Sequence, residues 1–165
     1  MLGSTLMNRQ QRRMMERASR QTAQRRIERP VHYPMIVKVD TVIRPLEEII
    51  DQIERFGTVD VTESGLPVFK PTSETTWFAT APAVDGLADT FEMWGTRHSR
   101  GINVDPLRVL ARSLATGADV TQTNLADLHA LMPRLRAIAA RFGHDEAKDI
   151  IRQTQIKAEL EAANA

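Results

Sequence analysis

Cysteine is absent from this chain of 165 residues. Its absence excludes disulfide bonds, thiolate nucleophiles, and zinc or iron–sulfur sites built from cysteine. No apolar run approaches the roughly 18 residues that a membrane-spanning helix needs. Residues 1–6 are too short and too uncharged for a signal peptide. These absences favour a soluble protein of a reducing compartment, with the cytoplasm as the expected location.

Enzyme motifs are missing as well. The GxSxG and SxxK patterns of serine nucleophiles do not occur, and neither do the GxxxxGK[ST] and GxGxxG phosphate-binding loops. No histidine has a second histidine or a carboxylate at metal-ligand spacing; the four are His32, His98, His129 and His144. We therefore expect no enzyme activity, no catalytic residue, no metal and no cofactor. A hydrolase or nuclease would be indicated only if the fold placed His98 or His129 beside two carboxylates in a pocket.

Positive charge is concentrated at one end of the chain. Between Met7 and Arg29 there are eight arginines, no lysine and two glutamates, a net charge of +6. Because the whole chain carries only +1, the remainder carries −5. The candidate binding residues are these arginines: Arg9, Arg12, Arg13, Arg17, Arg20, Arg25, Arg26 and Arg29.

Residues 1–30 are predicted to form an Arg-rich arm, helical or disordered. Good helix formers dominate it, but no apolar stripe is present to hold a helix against a core. Pro30 and Pro34 mark its end, because a proline disfavours helix in the residue before it. Residues 31–160 then form a single domain, which suits their length.

Arginine guanidinium groups make paired hydrogen bonds to phosphate or carboxylate, and each neutralised phosphate of a nucleic acid releases counterions. The arm therefore points to a nucleic acid or to an acidic protein surface. A solvated extension with no partner is the third alternative, and the acidic body can also attract the arm itself. No sequence-specific DNA reader, such as a helix-turn-helix with a basic recognition helix, is visible.

The domain is predicted to be α+β, with a small antiparallel sheet of three or four short strands packed with a mainly helical C-terminal half. Met35–Val39 is predicted as a strand because it is β-branched and partly alternating. A hairpin follows, with a turn at residues 63–65, and residues 75–80 supply another strand. Pro67 is expected to put its strand at an edge or to end its pairing early.

Helices follow from the spacing of apolar residues and from start and stop signals. Pro45 is expected in the first turn of a helix that ends at Gly57, and Thr80 is expected to cap the next helix. Further starts are expected at Asp105, at Asp119 or Thr121, and at Asp145, with Pro133 kinking or splitting the helix around it. The predicted inward faces are Leu46, Ile49, Ile50, Ile53; Val84, Leu87, Ala88, Phe91, Trp94; Leu107, Leu110, Ala111, Leu114; Leu125, Leu128, Met132, Leu135, Ala139, Phe142; Ala147, Ile150, Ile151 and Thr154.

Two features allow a functional or a structural interpretation. The aromatic residues could form a platform for a base or peptide, but with so few present we expect them in the core; they are Trp77, Phe78, Phe91 and Trp94. The segment 94–101 adds Arg97, His98 and Arg100 between two glycines. It could extend a basic surface, but we favour a solvated connection.

The stretch MNRQQRRMMERASRQ, together with YPMIVKVDTVIRPLEEIIDQIE, TAPAVDG and RQTQIKAEL, resembles small uncharacterised proteins of proteobacterial phages and prophages. The resemblance implies a mobile-element setting in a bacterial cell and carries over no functional residue. The leading expectation is thus a non-enzymatic accessory protein whose arm binds a polyanion or an acidic partner. The alternative is a structural or assembly component of a phage particle, with the arm as a tether. Its contact would use leftover apolar residues: Leu131, Met132 and Leu135, or Ile150, Ile156 and Leu160.

Overall fold

The structure is a computed structural model that describes residues 13, 26–27, 31–32, 39–72, 75–142 and 144–164. The strands of this described part are β1 (Arg26–Ile27), β2 (Val31–His32), β3 (Asp60–Thr62), β4 (Pro67–Phe69) and β5 (Trp77–Ala79). The helices are α1 (Val39–Phe56), α2 (Thr80–Arg97), α3 (Asp105–Thr116), α4 (Gln122–Ala139) and α5 (His144–Ala163). This arrangement of a small sheet and a mainly helical C-terminal half confirms the predicted α+β class.

The sheet has the strand order β1-β3-β4-β5-β2. Its centre is the predicted antiparallel unit, in which β3 pairs with β4 and β4 pairs with β5. The two-residue strands β1 and β2 extend it at both edges and run parallel to their neighbours β3 and β5. The predicted strand Met35–Val39 is wrong at its last residue, since Val39 begins α1; residues 35–38 lie outside the described residues.

The hairpin forms as its turn residues require. Gly65 has φ +87°, a left-handed conformation that costs glycine little and other residues more, and its N–H donates to the Thr62 carbonyl. Pro67 is not in an edge strand, because β4 lies between β3 and β5. Pro67 is the first residue of β4, and it has no partner in β5, because the pairing of these two strands begins at Val68. Of the two predicted effects of Pro67, the shortened pairing is the one that the structure has.

Helix α1 begins before Pro45, so the prediction that places this proline in the first turn is wrong. A proline inside a helix removes one backbone hydrogen bond. Ile43, two residues before Pro45, is nevertheless buried, and so is Leu46, the residue after the proline. Their burial in the core holds this part of the helix in place. The predicted face of Leu46, Ile49, Ile50 and Ile53 is confirmed as buried. The helix ends at Phe56, and Gly57 follows with φ +77°, donating its N–H to the Ile53 carbonyl.

Helix α2 follows β5 without a loop, and this explains why Thr80 is not the predicted cap. Ala79 is the capping residue and Thr80 is already helical, with its hydroxyl buried and without a hydrogen-bond partner among the described residues. The predicted core face of α2 is confirmed: all five residues are buried.

The next two helices start as predicted. Asp105 and Pro106 open α3, which ends at Gly117 in the left-handed region, with φ +69°. Thr121 caps α4, accepting a hydrogen bond from the Asn124 N–H at 3.0 Å. Pro133 does not split α4, which runs unbroken to Ala139. The proline is exposed while Met132 and Leu135 are buried on the inner face, so core contacts on both sides of it hold one helix.

The helices form one core on one face of the sheet. Buried residues of all five helices, with Val59 and Phe69 of the hairpin region, belong to one apolar cluster. Val68 and Trp77 form a second, smaller cluster with Leu66. Because successive strand residues face opposite sides, this cluster lies on the other face of the sheet from Phe69. Helix α5 begins at His144, one residue before the predicted cap Asp145.

Candidate functional site

Two of the eight candidate arginines lie in the described part of the chain. Arg13 is helical and exposed. Arg26 is in β1, where it is aligned with Val61 of β3. The prediction of a helical or disordered arm is therefore wrong at residues 26–27, where the arm adds an edge strand to the sheet of the body. The remaining six lie outside the described residues: Arg9, Arg12, Arg17, Arg20, Arg25 and Arg29.

A cleft of about 800 Å³ lies between the β3–β4 hairpin, with which β1 pairs, and residues 113–120. Buried Val59 and Leu114 contribute its apolar wall. Its charged lining residues, among those the structure describes, are the acids Glu63 and Asp119. Such a lining attracts a cationic segment and repels phosphate.

The histidines do not meet the condition for a hydrolase or nuclease. His98 Nε2 is 2.5 Å from Glu146 Oε1, and His129 Nε2 contacts Glu54 Oε1. Each ring is partly exposed, and each has a single carboxylate partner in the part of the chain that the structure describes. The first contact joins the residue after α2 to α5, and the second joins α4 to α1. They are therefore links between helices.

The aromatic residues lie in the core, as predicted. Trp77, Phe91 and Trp94 are buried and Phe78 is partly buried. Their placement excludes an exposed stacking platform made from these rings.

Residues 96–101 are exposed at the end of α2 and in the connection to α3, and two side chains of the segment 94–101 make contacts that neither interpretation included. His98 stacks on the Trp94 ring at 4.4 Å between centroids and also contacts Glu146 of α5. Arg97 Nη2 donates to Asp149 Oδ2 of α5 at 2.6 Å. These two residues fasten α5 to α2. No local signal predicts this, because the partners are 48 and 52 residues away in the sequence.

A charge cluster links α2 and α3. Arg108 of α3 donates to three carboxylates on one face of α2: Asp85 at 2.9 Å, Asp89 at 2.7 Å and Glu92 at 2.6 Å. Burial lowers the pKa of Arg108, but the hydrogen bonds that it donates to Asp89 and Glu92 outweigh this effect, so the pKa lies above its ordinary value. The guanidinium thus stays charged, and the cluster keeps two excess negative charges.

No group of three acidic or histidine side chains suited to a metal ion occurs in the part of the chain that the structure describes. Within the same residues, no helix is both long enough and apolar enough to cross a bilayer. The geometry instead shows an arm held at a sheet edge, an acidic cleft beside it, and ion pairs that join helices. Comparison with protein families, with curated proteins and with solved structures finds no match to this chain.

Proposed function

We propose that this chain is a non-enzymatic accessory protein that binds a polyanion, nucleic acid in the first place, through the arginines of its arm. The observation that supports the proposal most is the separation of charge: +6 between Met7 and Arg29, and −5 over the rest. Guanidinium groups match phosphate oxygens in pairs, and lysine would supply solubility equally well without that match. The resemblance to phage-encoded proteins supports a mobile-element setting in the bacterial cytoplasm.

The position of β1 supports the same proposal. Arg26 lies in an edge strand and Arg13 is exposed, so these two arginines are at the periphery of the described body. The hairpin beside β1 also carries Asp60 and Glu63. These carboxylates make the body a competitor of the polyanion, so bound phosphate must outweigh the attraction between arm and body.

The test is the salt dependence of binding to a duplex DNA, measured by fluorescence anisotropy on the full chain. Four to six phosphate contacts give a slope of log K against log salt of about −3.6 to −5.4, at roughly −0.9 per contact. A variant with all eight arm arginines changed to glutamine keeps the chain length and should lose the binding. Substitution is preferable to deletion, because removing residues 1–29 would also remove β1.

The matched control changes Arg112 to glutamine, since this arginine is exposed on α3 and far along the chain from the arm. It should bind DNA with an unchanged slope. Full binding by the eight-glutamine variant would refute the role of the arm. If the parent chain does not bind DNA but captures an acidic protein, the partner of the arm is a protein surface and not a nucleic acid.

A second function, assembly of copies of this chain in a phage particle, is favoured by one observation. Ile156 and Leu160 are 46% and 59% exposed and lie four residues apart on α5, so they share a face. The other residues considered for such a contact are core residues: Leu131, Met132, Leu135 and Ile150. Exposed neighbouring apolar side chains are typical of contact surfaces.

Sedimentation over a range of concentrations tests this alternative. If α5 associates with its copies, the double change Ile156→Lys and Leu160→Lys should convert oligomers to monomers. The change Val109→Lys is the control, because Val109 is also exposed but lies on α3. A parent chain that is monomeric throughout would exclude self-assembly through this face.

A further inference from the structure

We propose that a pocket at the ends of α2 and α4 binds a phosphate group. The pocket has a volume of about 170 Å³ and lies beside residues of α4 and of the segment that follows α2. Its lining residues are Trp94, Arg100, Arg134, Ala137, Ile138 and Arg141. This site is on the body, and it depends neither on the arm nor on the function proposed for the arm.

The charge of the pocket is the first argument. Three of its lining residues are arginines and none is acidic. Some other arginines of the body are paired with carboxylates: Arg97 with Asp149, and Arg108 with three acids. No acid among the lining residues offsets these three arginine side chains, so an anion at the pocket is favourable.

The donors that remain are the second argument. Arg134 Nη2 donates to the Gly101 carbonyl at 2.5 Å, which orients this side chain at the pocket. For the side chains of Arg100 and Arg141, the described part of the chain supplies no hydrogen bond or ion pair. Each guanidinium group has five N–H donors in a planar fork, so most N–H donors of these three arginines have no acceptor among the described residues.

The indole of Trp94 is the third argument. This residue lines the pocket and is only 3% exposed, and its Nε1 atom has no hydrogen-bond partner among the described residues. Buried donors are almost always paired, and an unpaired one destabilises the fold. The ring of Trp94 forms part of the pocket wall, so an anion bound there changes the surroundings of the indole, and its N–H signal reports the binding.

Local backbone structure brings the arginines together. A methyl group added at Gly95 would lie 2.5 Å from the Arg100 carbonyl oxygen, so only glycine lets this segment approach α2 so closely. The Arg100 N–H donates to the Gly95 carbonyl at 2.8 Å and holds the approach. Arg134 lies in α4 and Arg141 in the turn that follows the helix, where its N–H donates to the Ile138 carbonyl at 2.9 Å.

Phosphate fits better than carboxylate or a whole nucleotide. A phosphate monoester carries a charge of about −1.5 to −2 and three acceptor oxygens, which suits three arginine side chains. A carboxylate has one charge and two oxygens. The volume holds about six water molecules at roughly 30 Å³ each, and it is below the ≈ 300 Å³ of most small-molecule sites, so a phosphate enters and anything attached to it stays outside.

The test uses the full chain and the indole N–H signals of its nitrogen-15 NMR spectrum. The chain has two tryptophans, Trp77 and Trp94, so two signals are expected, and the change Trp77→Phe assigns them. Inorganic phosphate added at constant ionic strength should shift the Trp94 signal saturably and leave the Trp77 signal in place. Arg100→Gln and Arg141→Gln should each weaken binding about tenfold, as expected for loss of a charged hydrogen bond.

Arg112→Gln, with the same charge change outside the pocket, should bind phosphate as the parent chain does. The variant with eight arm glutamines should also bind unchanged, so failure of the arm proposal and failure of this one are distinguishable. Adenosine monophosphate should shift the Trp94 signal and adenosine should not, and comparison with inorganic phosphate separates a free anion from a phosphoryl group of a larger molecule.

Three results would overturn the proposal. The first is a Trp94 signal that does not move at any phosphate concentration. The second is equal weakening by Arg112→Gln and Arg141→Gln, which would indicate general screening. The third is an equal shift with acetate, which would indicate that the arginines serve only to stabilise the negatively polarised helix ends and bind any anion weakly.

Discussion

The change Arg108→Gln is expected to lower the free energy of unfolding by about 2 kcal/mol. Arg108 joins α3 to α2 through hydrogen bonds to Asp85, Asp89 and Glu92. Glutamine keeps most of the side-chain volume but removes the charge. The three carboxylates then lie on one helix face, at spacings of four and three residues, with no cation between them.

The exposure of the three carboxylates determines how much the free energy of unfolding falls when Arg108 is changed. Asp85 and Glu92 are 55% and 51% exposed, so water replaces much of what they lose, and each contributes about 0.5 kcal/mol. Asp89 is 21% exposed, and its bond to Arg108 contributes about 1 kcal/mol because water reaches both partners less well. Together these contributions give about 2 kcal/mol.

Urea unfolding followed by far-ultraviolet circular dichroism measures this loss, and the melting temperature should fall by about 4–8 °C. Arg55→Gln is the matched control, because Arg55 contacts Asp51 of its own helix and both side chains are well exposed. The control should lose no more than about 0.5 kcal/mol. Equal losses in the two variants, or an Arg108→Gln protein as stable as the parent, would refute the reasoning.

Two further predictions concern the backbone and the core. Gly117→Ala should cost about 1 kcal/mol because Gly117 has φ +69°, whereas Gly101→Ala, with open space around its Cβ position, should change stability by less than about 0.5 kcal/mol. Leu128→Ala should cost about 3 kcal/mol because Leu128 is fully buried, and exposed Val109→Ala should cost less than about 0.5 kcal/mol. Both comparisons use urea unfolding, and a neutral Gly117→Ala or Leu128→Ala would contradict the assigned conformation or burial.

The helix faces could be predicted because their signal is local. Leu46, Ile49, Ile50 and Ile53 share a face whatever surrounds them, since helical spacing alone brings them together. The same holds for the turn at Gly65, whose conformation only glycine adopts at low cost. The candidate arginines of the arm rest on composition alone and stay a prediction; the structure describes Arg13 and Arg26 among them.

The errors occurred where contacts distant in the sequence outweigh a local preference. Pro45 removes a backbone hydrogen bond inside α1, and of the two outcomes expected at Pro133 the split of α4 does not occur, because buried neighbours hold each helix together across its proline. Pro67 would suit an edge strand, but β5 covers β4 because the chain returns to it after residues 70–76. Thr80 has the chemistry of a cap, but β5 runs directly into α2 and leaves it no capping position.

The sequence by itself determined that this chain is α+β, that its arginines are gathered at one end, and which side of each helix is apolar. These properties depend on composition and on spacing along one segment. Only the tertiary structure decided that Arg100, Arg134 and Arg141 share a pocket with Trp94, and that Arg108 meets three acids of α2. These contacts depend on how the helices pack. The packing is set by the shared core, in which residues far apart in the chain contact each other.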